Sequence, residues 1–400
     1  MTKTVQDAYI VAAVRTPVAK APRGQFRRVR PDDLLAHAIR AALARVPNLD
    51  PAEIADVIVG CAMPEAEQGM NVARIGALLA GLPDSVPAMT INRFCASGLQ
   101  AVALAADRIR TGDADVVIAG GTESMSLIPM GGHKLAMNPS VFAGNDQVAI
   151  AYGMGITAER VAERWKVSRE AQDAFALESH RKAVAATAAG HFRDEIAPFP
   201  VVSHLPDLAQ GSVRKSSRLV ESDEGPRADT TAEVLAGLKP AFRVGGSVTA
   251  GNSSQMSDGA AAVVLMSERA VAKAGVKPLA RFAGYAVAGV APEVMGIGPV
   301  EAIPKALSSA GLSLAAVDWI ELNEAFAAQA LAVIGELGID PSRVNPLGGA
   351  IALGHPLGAT GAIRTATLLQ GLQRTGGKYG MVTMCIGTGM GAAGVFEAIA

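Results

Sequence analysis

The sequence predicts an α/β fold with largely buried strands, built twice along the chain. Short runs rich in β-branched residues, such as DVVIAGG at 115–121, alternate with alanine-rich stretches of helical periodicity. The order of elements in the first part of the chain recurs near its end. A length of 400 residues is also too great for one ordinary domain, which fits a fold that is repeated.

The elements follow from local patterns. Buried strands are predicted at 8–14, 55–60, 115–121, 261–266, 318–322 and 379–385. Helices are predicted at 32–45 and 99–110. In the second helix Leu99, Val102, Ala106 and Ile109 fall on one face, and Gly112 is placed to end it.

The repeat appears in two pairs of segments. A helix, a short loop and a buried strand occupy 33–60 and again 302–322. INRFCASGLQ, at 91–100, and the longer 344–361 each run from a short strand through a turn of small residues into a helix. We therefore expect an N-terminal half at 1–270 and a C-terminal half at 275–400. Composition changes at 127–249, which predicts an inserted region covering one face of the core.

Composition excludes several classes of function. A net charge of −1 without a charged block favours neither nucleic acid nor a membrane surface as a partner. We find no apolar run of the ~18 residues needed to span a bilayer. Three widely spaced cysteines fit a reducing compartment and give no zinc-type spacing. The first residues lack the pattern of a signal peptide, so we expect a cytoplasmic protein. Because the cysteine spacing gives no zinc site, we also expect no bound metal.

Cys95 lies in a turn of small residues just before the helix at 99–110. At a helix N-terminus, free N–H groups and the dipole stabilise a thiolate, which would lower the thiol pKa from roughly 8.5 towards neutrality. The same N–H groups could hold an oxyanion. The alternative is an inert core cysteine, which is the commoner fate of this residue.

Three further glycine-rich or strand-end segments carry reactive groups. His355 lies between Gly354 and Pro356, where it could deprotonate a thiol or remain a turn histidine bonded to backbone. Cys385 ends a strand, and Gly387 could present an N–H beside it. Asn323 follows the strand at 318–322, where its amide could fix a water molecule or a carbonyl group.

Two other features have simpler explanations. GMGAAG, at 389–394, matches a dinucleotide-binding pattern, but only six residues follow it, too few for the rest of that unit. These glycines are expected to let a strand cross close to a substrate. Glu324 is expected to act as a helix N-cap partner or as a supporting acid, and Cys61 as packing.

These segments together resemble the thiolase family of acyl-CoA acyltransferases. NRFCASGLQA resembles its nucleophile motif, NEAFA its asparagine motif, GGAIALGHPLGATGA its histidine motif and CIGTGMG its second cysteine motif. Their order and spacing also agree, and VRTP and VTAGNSSQMSDGAAA extend the resemblance to nearly the whole chain. The resemblance implies a duplicated thiolase fold, layered α-β-α-β-α, with an inserted loop domain.

The resemblance also implies a reaction. Cys95 would attack a 3-ketoacyl-CoA with His355 as base, and Cys385 would protonate the released acetyl-CoA enolate and later deprotonate incoming CoA. Oxyanions would be held by His355 with a water on Asn323, and by the N–H groups of Cys95 and Gly387. Coenzyme A is a substrate in this chemistry, and no cofactor is expected.

The same resemblance places CoA against the inserted region. Ser254 resembles a serine at the pantetheine arm, Arg227 a residue near the adenine, and Met154 and Phe326 residues of the thioester tunnel. Ala250 is expected at the same site. Arg227 could equally be a solvated loop arginine.

One departure from the family pattern helps to choose a subfamily. Short-chain biosynthetic thiolases carry a histidine where this chain has Gly153, so the sequence resembles the degradative 3-ketoacyl-CoA thiolases of fatty-acid β-oxidation. The alternatives are a biosynthetic acetoacetyl-CoA thiolase, a decarboxylating ketosynthase and a catalytically silent lipid-binding relative. The resemblance implies a homodimer or homotetramer, which in degradative members can join a hydratase–dehydrogenase subunit.

Overall fold

A computed structural model describes residues 5–144 and 147–399 of the chain. The helices are α1 Pro31–Leu43, α2 Val72–Leu79, α3 Ser97–Arg110, α4 Met154–Arg164, α5 Arg169–Ala188, α6 Ala232–Ala236, α7 Glu268–Ala274, α8 Gly298–Ala310, α9 Ala327–Leu337, α10 Ala350–Leu353 and α11 Thr360–Thr375. The strands are β1 Tyr9–Arg15, β2 Ala19–Lys20, β3 Asp56–Gly60, β4 Ala88–Ile91, β5 Val116–Ser124, β6 Phe199–Asp207, β7 Ser212–Val220, β8 Ser257–Met266, β9 Ala280–Gly289, β10 Trp319–Leu322, β11 Tyr379–Ile386 and β12 Met390–Ala398.

The main sheet consists of two half-sheets with the same strand order. One runs β4-β3-β5-β8-β1, and the other runs β10-β11-β12-β9. Counted from β1 in the first half-sheet and from β9 in the second, two antiparallel pairings come first and the parallel pairings come after them. A parallel bridge from Ile320 to Val344 supplies the counterpart of the β3–β4 pair. This repeat confirms the predicted duplication.

The half-sheets are joined at the start of β1, where Tyr9 and Ile10 pair with Arg281 and Ala280 of β9. Helices α3 and α11 pack against each other and against strands of both halves, and they form the largest buried core. Helix α1 covers the outer face of the first half, and α8 covers that of the second. The layers are therefore α-β-α-β-α, as the resemblance implied.

Glycine makes the contact between the two central helices possible. A Cβ atom on Gly98 of α3 would lie 2.7 Å from the backbone nitrogen of Ala362 in α11. One on Gly361 would meet the α3 backbone at Leu99 in the same way. The two helices thus approach at their N-terminal ends, which brings the turns before them together.

The inserted region contains more regular structure than its sequence indicated. Its long helical stretch divides into α4 and α5, because Lys166 has a φ of +56° and the Ser168 hydroxyl caps a new helix at Ala171 N–H. The antiparallel hairpin of β6 and β7 was not predicted. Helices α4 and α5 both contact α9, so the region packs on the second half as well as the first.

Candidate active site

Cys95 lies in a single turn of 3₁₀ helix, Phe94–Ala96, directly before α3. The Ser97 hydroxyl closes this turn by accepting from the Arg93 N–H (2.8 Å) and donating to the Phe94 carbonyl (2.7 Å). Phe94 has a φ of +45°, in the left-handed region. The sequence therefore located Cys95 correctly at a helix start.

The predicted fall in the pKa of Cys95 was wrong. Although the residue keeps some exposed surface, burial raises the pKa of its thiol to about 11. The backbone N–H groups of Gly387 and of Cys95 itself lower the pKa, and the charge of Glu123 raises it further. Desolvation therefore outweighs the helix start, and at neutral pH the thiol is protonated and needs a base.

His355 can act as that base. Its side chain is buried, with Nδ1 2.6 Å from the Thr360 hydroxyl and Nε2 3.4 Å from the amide nitrogen of Asn323. Burial, followed by the charge of Arg364, lowers the pKa of His355 to about 3, so the ring is neutral at pH 7. Leu357, two residues later, packs in the same apolar cluster as Cys95.

Asn323 and Cys385 come from adjacent parallel strands, β10 and β11. The Asn323 N–H donates to the Thr383 carbonyl at 2.9 Å, and Cys385 follows two residues along the same strand. Within the described part of the chain, Oδ1 of Asn323 has no hydrogen-bond partner although it is buried. A buried acceptor of this kind is suited to holding a water molecule.

Cys385 lies within electrostatic range of the Cys95 thiol. It is fully buried, and its pKa is raised first by burial and then by the charge of an ionised Cys95. The N–H of Gly387 reaches the sulfur of Cys95, as its effect on that pKa shows. The structure thus places Cys385 and the Gly387 N–H near the Cys95 thiol, and His355 beside Asn323.

The two expected tunnel residues lie beside these thiols. Met154 and Phe326 belong to one apolar cluster with Cys385. The sulfur of Met154 lies 3.6 Å from where a Cβ atom of Gly387 would be, so Met154 also adjoins the turn after β11. Ser254 adjoins this cluster through its N–H, which donates to the Ala325 carbonyl at 2.9 Å.

Two expected CoA contacts lie on the surface. Ala250 is exposed in the loop before β8. The Arg227 side chain is 56% exposed and pairs with Asp229 at 3.4 Å. Its backbone N–H donates to Nδ1 of His180 in α5 at 3.2 Å, which anchors this loop to the inserted region. The structure brings neither residue into contact with the thiol cluster.

Glu324 is a helix N-cap partner as expected, but of α10 rather than α9, because its carboxylate accepts from the Ile351 N–H in the first turn of α10 at 3.2 Å. Its buried carboxylate accepts from the Ser179 hydroxyl (2.7 Å) and the Asn345 amide (2.8 Å), so it supports the chain around Asn323. The sequence did not single out Thr360. Its spacing of five residues after His355, at the first position of α11, was the available signal.

The glycines at 389–394 were expected to let a strand cross close to a substrate. They instead allow close packing within the protein. A Cβ atom on Gly391 would overlap Gly298 at the start of α8, and one on Gly394 would lie 2.9 Å from the Leu99 side chain. Among residues 5–144 and 147–399, no group of three His, Cys, Asp or Glu side chains is placed to hold a metal. In the same ranges no helix is both long and apolar enough to cross a bilayer.

Comparisons with known proteins cover nearly the whole chain. Family models described as the N-terminal and C-terminal domains of thiolase match residues 8–269 and 276–398. A 3-ketoacyl-CoA thiolase of Bacillus subtilis is 52% identical over 394 residues, which are 98% of this chain and 100% of the relative. Peroxisomal 3-ketoacyl-CoA thiolase B of Mus musculus is 48% identical, over 98% of this chain and 91% of the relative.

Two solved structures share the fold. The acetyl-CoA acetyltransferase of Bacillus anthracis aligns with a TM-score of 0.88 at 41% identity, covering 99% of this chain and 100% of that one. Human mitochondrial 3-ketoacyl-CoA thiolase aligns with the same TM-score and identity, covering 99% of each chain. The chain therefore belongs to the thiolase family and is an acyltransferase of that family.

Proposed function

We propose that the protein is a 3-ketoacyl-CoA thiolase of degradative type. It cleaves the C2–C3 bond of a 3-ketoacyl-CoA with CoA, giving acetyl-CoA and an acyl-CoA shortened by two carbons. The observation that carries this proposal is the convergence of two thiols, the partly buried Cys95 and the buried Cys385, with His355 and its partner Asn323. The names of the Bacillus subtilis and mouse relatives support the same activity.

In the first half of the reaction, His355 takes the proton of Cys95 as its sulfur attacks the 3-keto carbon. The C2–C3 bond then breaks, and its electron pair passes to C2 of the departing acetyl-CoA. Cys385 donates its proton to that carbanion and becomes a thiolate, while Cys95 holds the acyl group as a thioester. Because burial keeps both thiols protonated at rest, each proton is available when its step begins.

In the second half, the Cys385 thiolate takes the proton of the incoming CoA thiol. The resulting CoA thiolate attacks the acyl carbonyl, Cys95 leaves as a thiolate, and His355 returns the first proton to it. The raised pKa of Cys385 makes its thiolate a stronger base than an exposed cysteine. The cycle therefore restores every group without an external acid or base.

Two sets of hydrogen-bond donors can stabilise the negative charge that develops on the oxygens of the substrate. The N–H groups of Cys95 and Gly387 face the nucleophile, and they suit the carbonyl oxygen of the acyl-thioester. Nε2 of His355, with a water on the free Oδ1 of Asn323, suits the other oxygen. Thr360 holds Nδ1 of the ring and leaves Nε2 to face the reaction.

CoA enters this scheme as a substrate, and the reaction requires no cofactor. Met154 and Phe326 line the thioester channel, with Ser254 and Ala250 along the pantetheine and Arg227 near the adenine. We further propose a homodimer or homotetramer, able to join a hydratase–dehydrogenase subunit in β-oxidation. A cytoplasmic location fits the three free cysteines.

The decisive test is mass spectrometry of the enzyme incubated with a 3-ketoacyl-CoA in the absence of free CoA. An acyl adduct should map to the peptide that contains Cys95, and it should vanish in Cys95→Ser. Cys61→Ala is the matched control, because Cys61 is a buried cysteine that takes no part in the reaction. In this variant the acyl adduct on the Cys95 peptide should persist. An adduct on any other residue would refute the assignment.

A second candidate is a biosynthetic acetoacetyl-CoA thiolase, which the alignment with the Bacillus anthracis acetyltransferase favours. The two differ in chain length and direction, so the thiolysis rates of a series of 3-ketoacyl-CoAs separate them. The loss of the magnesium-enolate absorbance of these substrates reports each rate. A kcat/KM that is highest for acetoacetyl-CoA and falls with length would favour the biosynthetic candidate.

A further inference from the structure

Glu123, the penultimate residue of β5, is a buried carboxylate that the reaction above does not use. It is 1% exposed and accepts from the N–H groups of Ala62 (2.7 Å), Gly358 (2.9 Å) and Met63 (3.3 Å). The side-chain amide of Gln68 donates a fourth hydrogen bond. Among the described residues no Lys or Arg pairs with it. Burial raises the pKa of Glu123, whereas the four N–H donors each lower it and favour the ionised form.

One of these hydrogen bonds fixes the turn that carries His355. Gly358 follows His355 by three residues, and the Leu357 N–H between them donates to the His355 carbonyl at 2.9 Å. A Cβ atom on Gly358 would lie 2.6 Å from the nitrogen of Ala62. Only glycine therefore lets this turn approach the segment after β3 closely enough for its N–H to reach Glu123.

A second set of hydrogen bonds leads to the nucleophile. The carbonyl of Ala62 accepts from the amide of Asn92 at 3.0 Å, and Oδ1 of Asn92 accepts from the Phe94 N–H at 2.8 Å. Phe94 adjoins Cys95, and its left-handed φ is unfavourable for a bulky side chain. Ser97 holds this conformation from within the turn, and Asn92 links it through Ala62 to Glu123.

We propose that Glu123 is a positioning residue of the thiolase reaction, whose carboxylate fixes the separation of Cys95 and His355 by holding both turns from one anchor on β5. This inference rests on the function proposed above. The effect of Glu123 on the pKa of Cys95 places its charge within electrostatic range of that sulfur. Cys385 on β11 is a second titratable group near this thiol, and Leu357, two residues after His355, packs in the same cluster as Cys95.

Two variants separate length from charge. Glu123→Gln keeps the size but turns an NH₂ group towards a backbone N–H, so it breaks one anchor and removes the charge. Glu123→Asp keeps the charge but is too short to hold both turns. Both should lower kcat by about 10- to 100-fold, the scale of a small misplacement of reacting groups, and leave KM near the wild-type value. Only the Gln variant should move the pH midpoint of Cys95 alkylation by iodoacetamide, to lower pH.

Glu195→Gln is the matched control, because Glu195 is an equally buried carboxylate that pairs with Arg15 and not with the thiol cluster. It should lower thermal stability and leave kcat and the alkylation midpoint unchanged. An equal loss of kcat in this control would overturn the proposal, as would wild-type kcat in both Glu123 variants. If both Glu123 variants lose kcat and neither moves the pH midpoint of Cys95 alkylation, the loss of kcat would be assigned to folding damage. That result would also overturn the proposal.

The alkylation assay keeps this test separate from the proposed function. If the wild-type enzyme cleaves no 3-ketoacyl-CoA, the proposed function fails. The alkylation rate of Cys95 and its pH midpoint still decide the role of Glu123. If Glu123→Gln does not fold, Glu123→Asp carries the test, since a lowered kcat at an unchanged thermal midpoint supports positioning and a wild-type kcat excludes it.

Discussion

The pH dependence of Cys95 alkylation measures how strongly burial holds the nucleophile in its protonated form. A pKa of about 11, against an ordinary 9.0, means about 100-fold fewer thiolates at neutral pH than an exposed cysteine has. A more basic thiolate is also more nucleophilic, and a Brønsted slope of about 0.4–0.5 recovers about tenfold of that loss. We therefore expect iodoacetamide to modify Cys95 about tenfold more slowly than a free thiol at pH 7.

The sign of the shift fixes the shape of the profile. Since the pKa is raised, the thiolate appears only at high pH, and the rate should climb about tenfold per pH unit from pH 7 towards the folded pKa. A Cys61→Ala, Cys385→Ala background confines the label to Cys95, with N-acetylcysteine as the reference thiol. A rate that levels off below pH 8 would refute the reasoning, because it would mean that the helix start outweighs desolvation.

Three further predictions address the neighbours of the nucleophile. Thr360→Val should leave Nδ1 of His355 unpartnered, which costs about 1–3 kcal/mol and lowers kcat in steady-state thiolysis, whereas Thr360→Ser should restore it. Cys385→Ala should lower thiolysis by at least about 100-fold, because C2 loses its proton donor, and a smaller loss in the same assay would contradict that role. Gly361→Ala should destabilise the fold by about 1–3 kcal/mol in urea unfolding, since its Cβ meets the α3 backbone, whereas Gly335→Ala, in open space on α9, should not.

The sequence predicted those parts of the fold whose patterns are local. Strands β3, β5 and β10 are short apolar runs bounded by loops, and the structure places them where the pattern did. Strand β12 was not predicted, because the glycine-rich sequence at its start is typical of a loop. Its glycines in fact admit the start of α8, a contact between segments about 90 residues apart that no local window contains.

The functional site likewise contains residues that a local pattern reveals and residues whose role depends on packing. Cys95 and His355 were predictable because each lies in a turn of small residues, and Cys385 because it lies near the end of a strand that leads into glycines, which are local signals. Thr360 and Glu123 were missed, since the role of each depends on which turn packs against it. The pKa of Cys95 had the wrong predicted sign for a related reason. A helix start can be read from the sequence, but the depth of burial that opposes it cannot.

The duplication explains why the anchor and the second thiol occupy related positions. Glu123 on β5 pairs with Gly259 of β8, and Cys385 on β11 pairs with Gly391 of β12. Both glycines are followed by two alanines, and β5 and β11 hold the same place in the two half-sheets. Glu123 and Cys385 are therefore counterparts at the ends of equivalent strands. In the proposed scheme, one half uses this position for the carboxyl group that holds the turns, and the other uses it for the thiol that moves a proton.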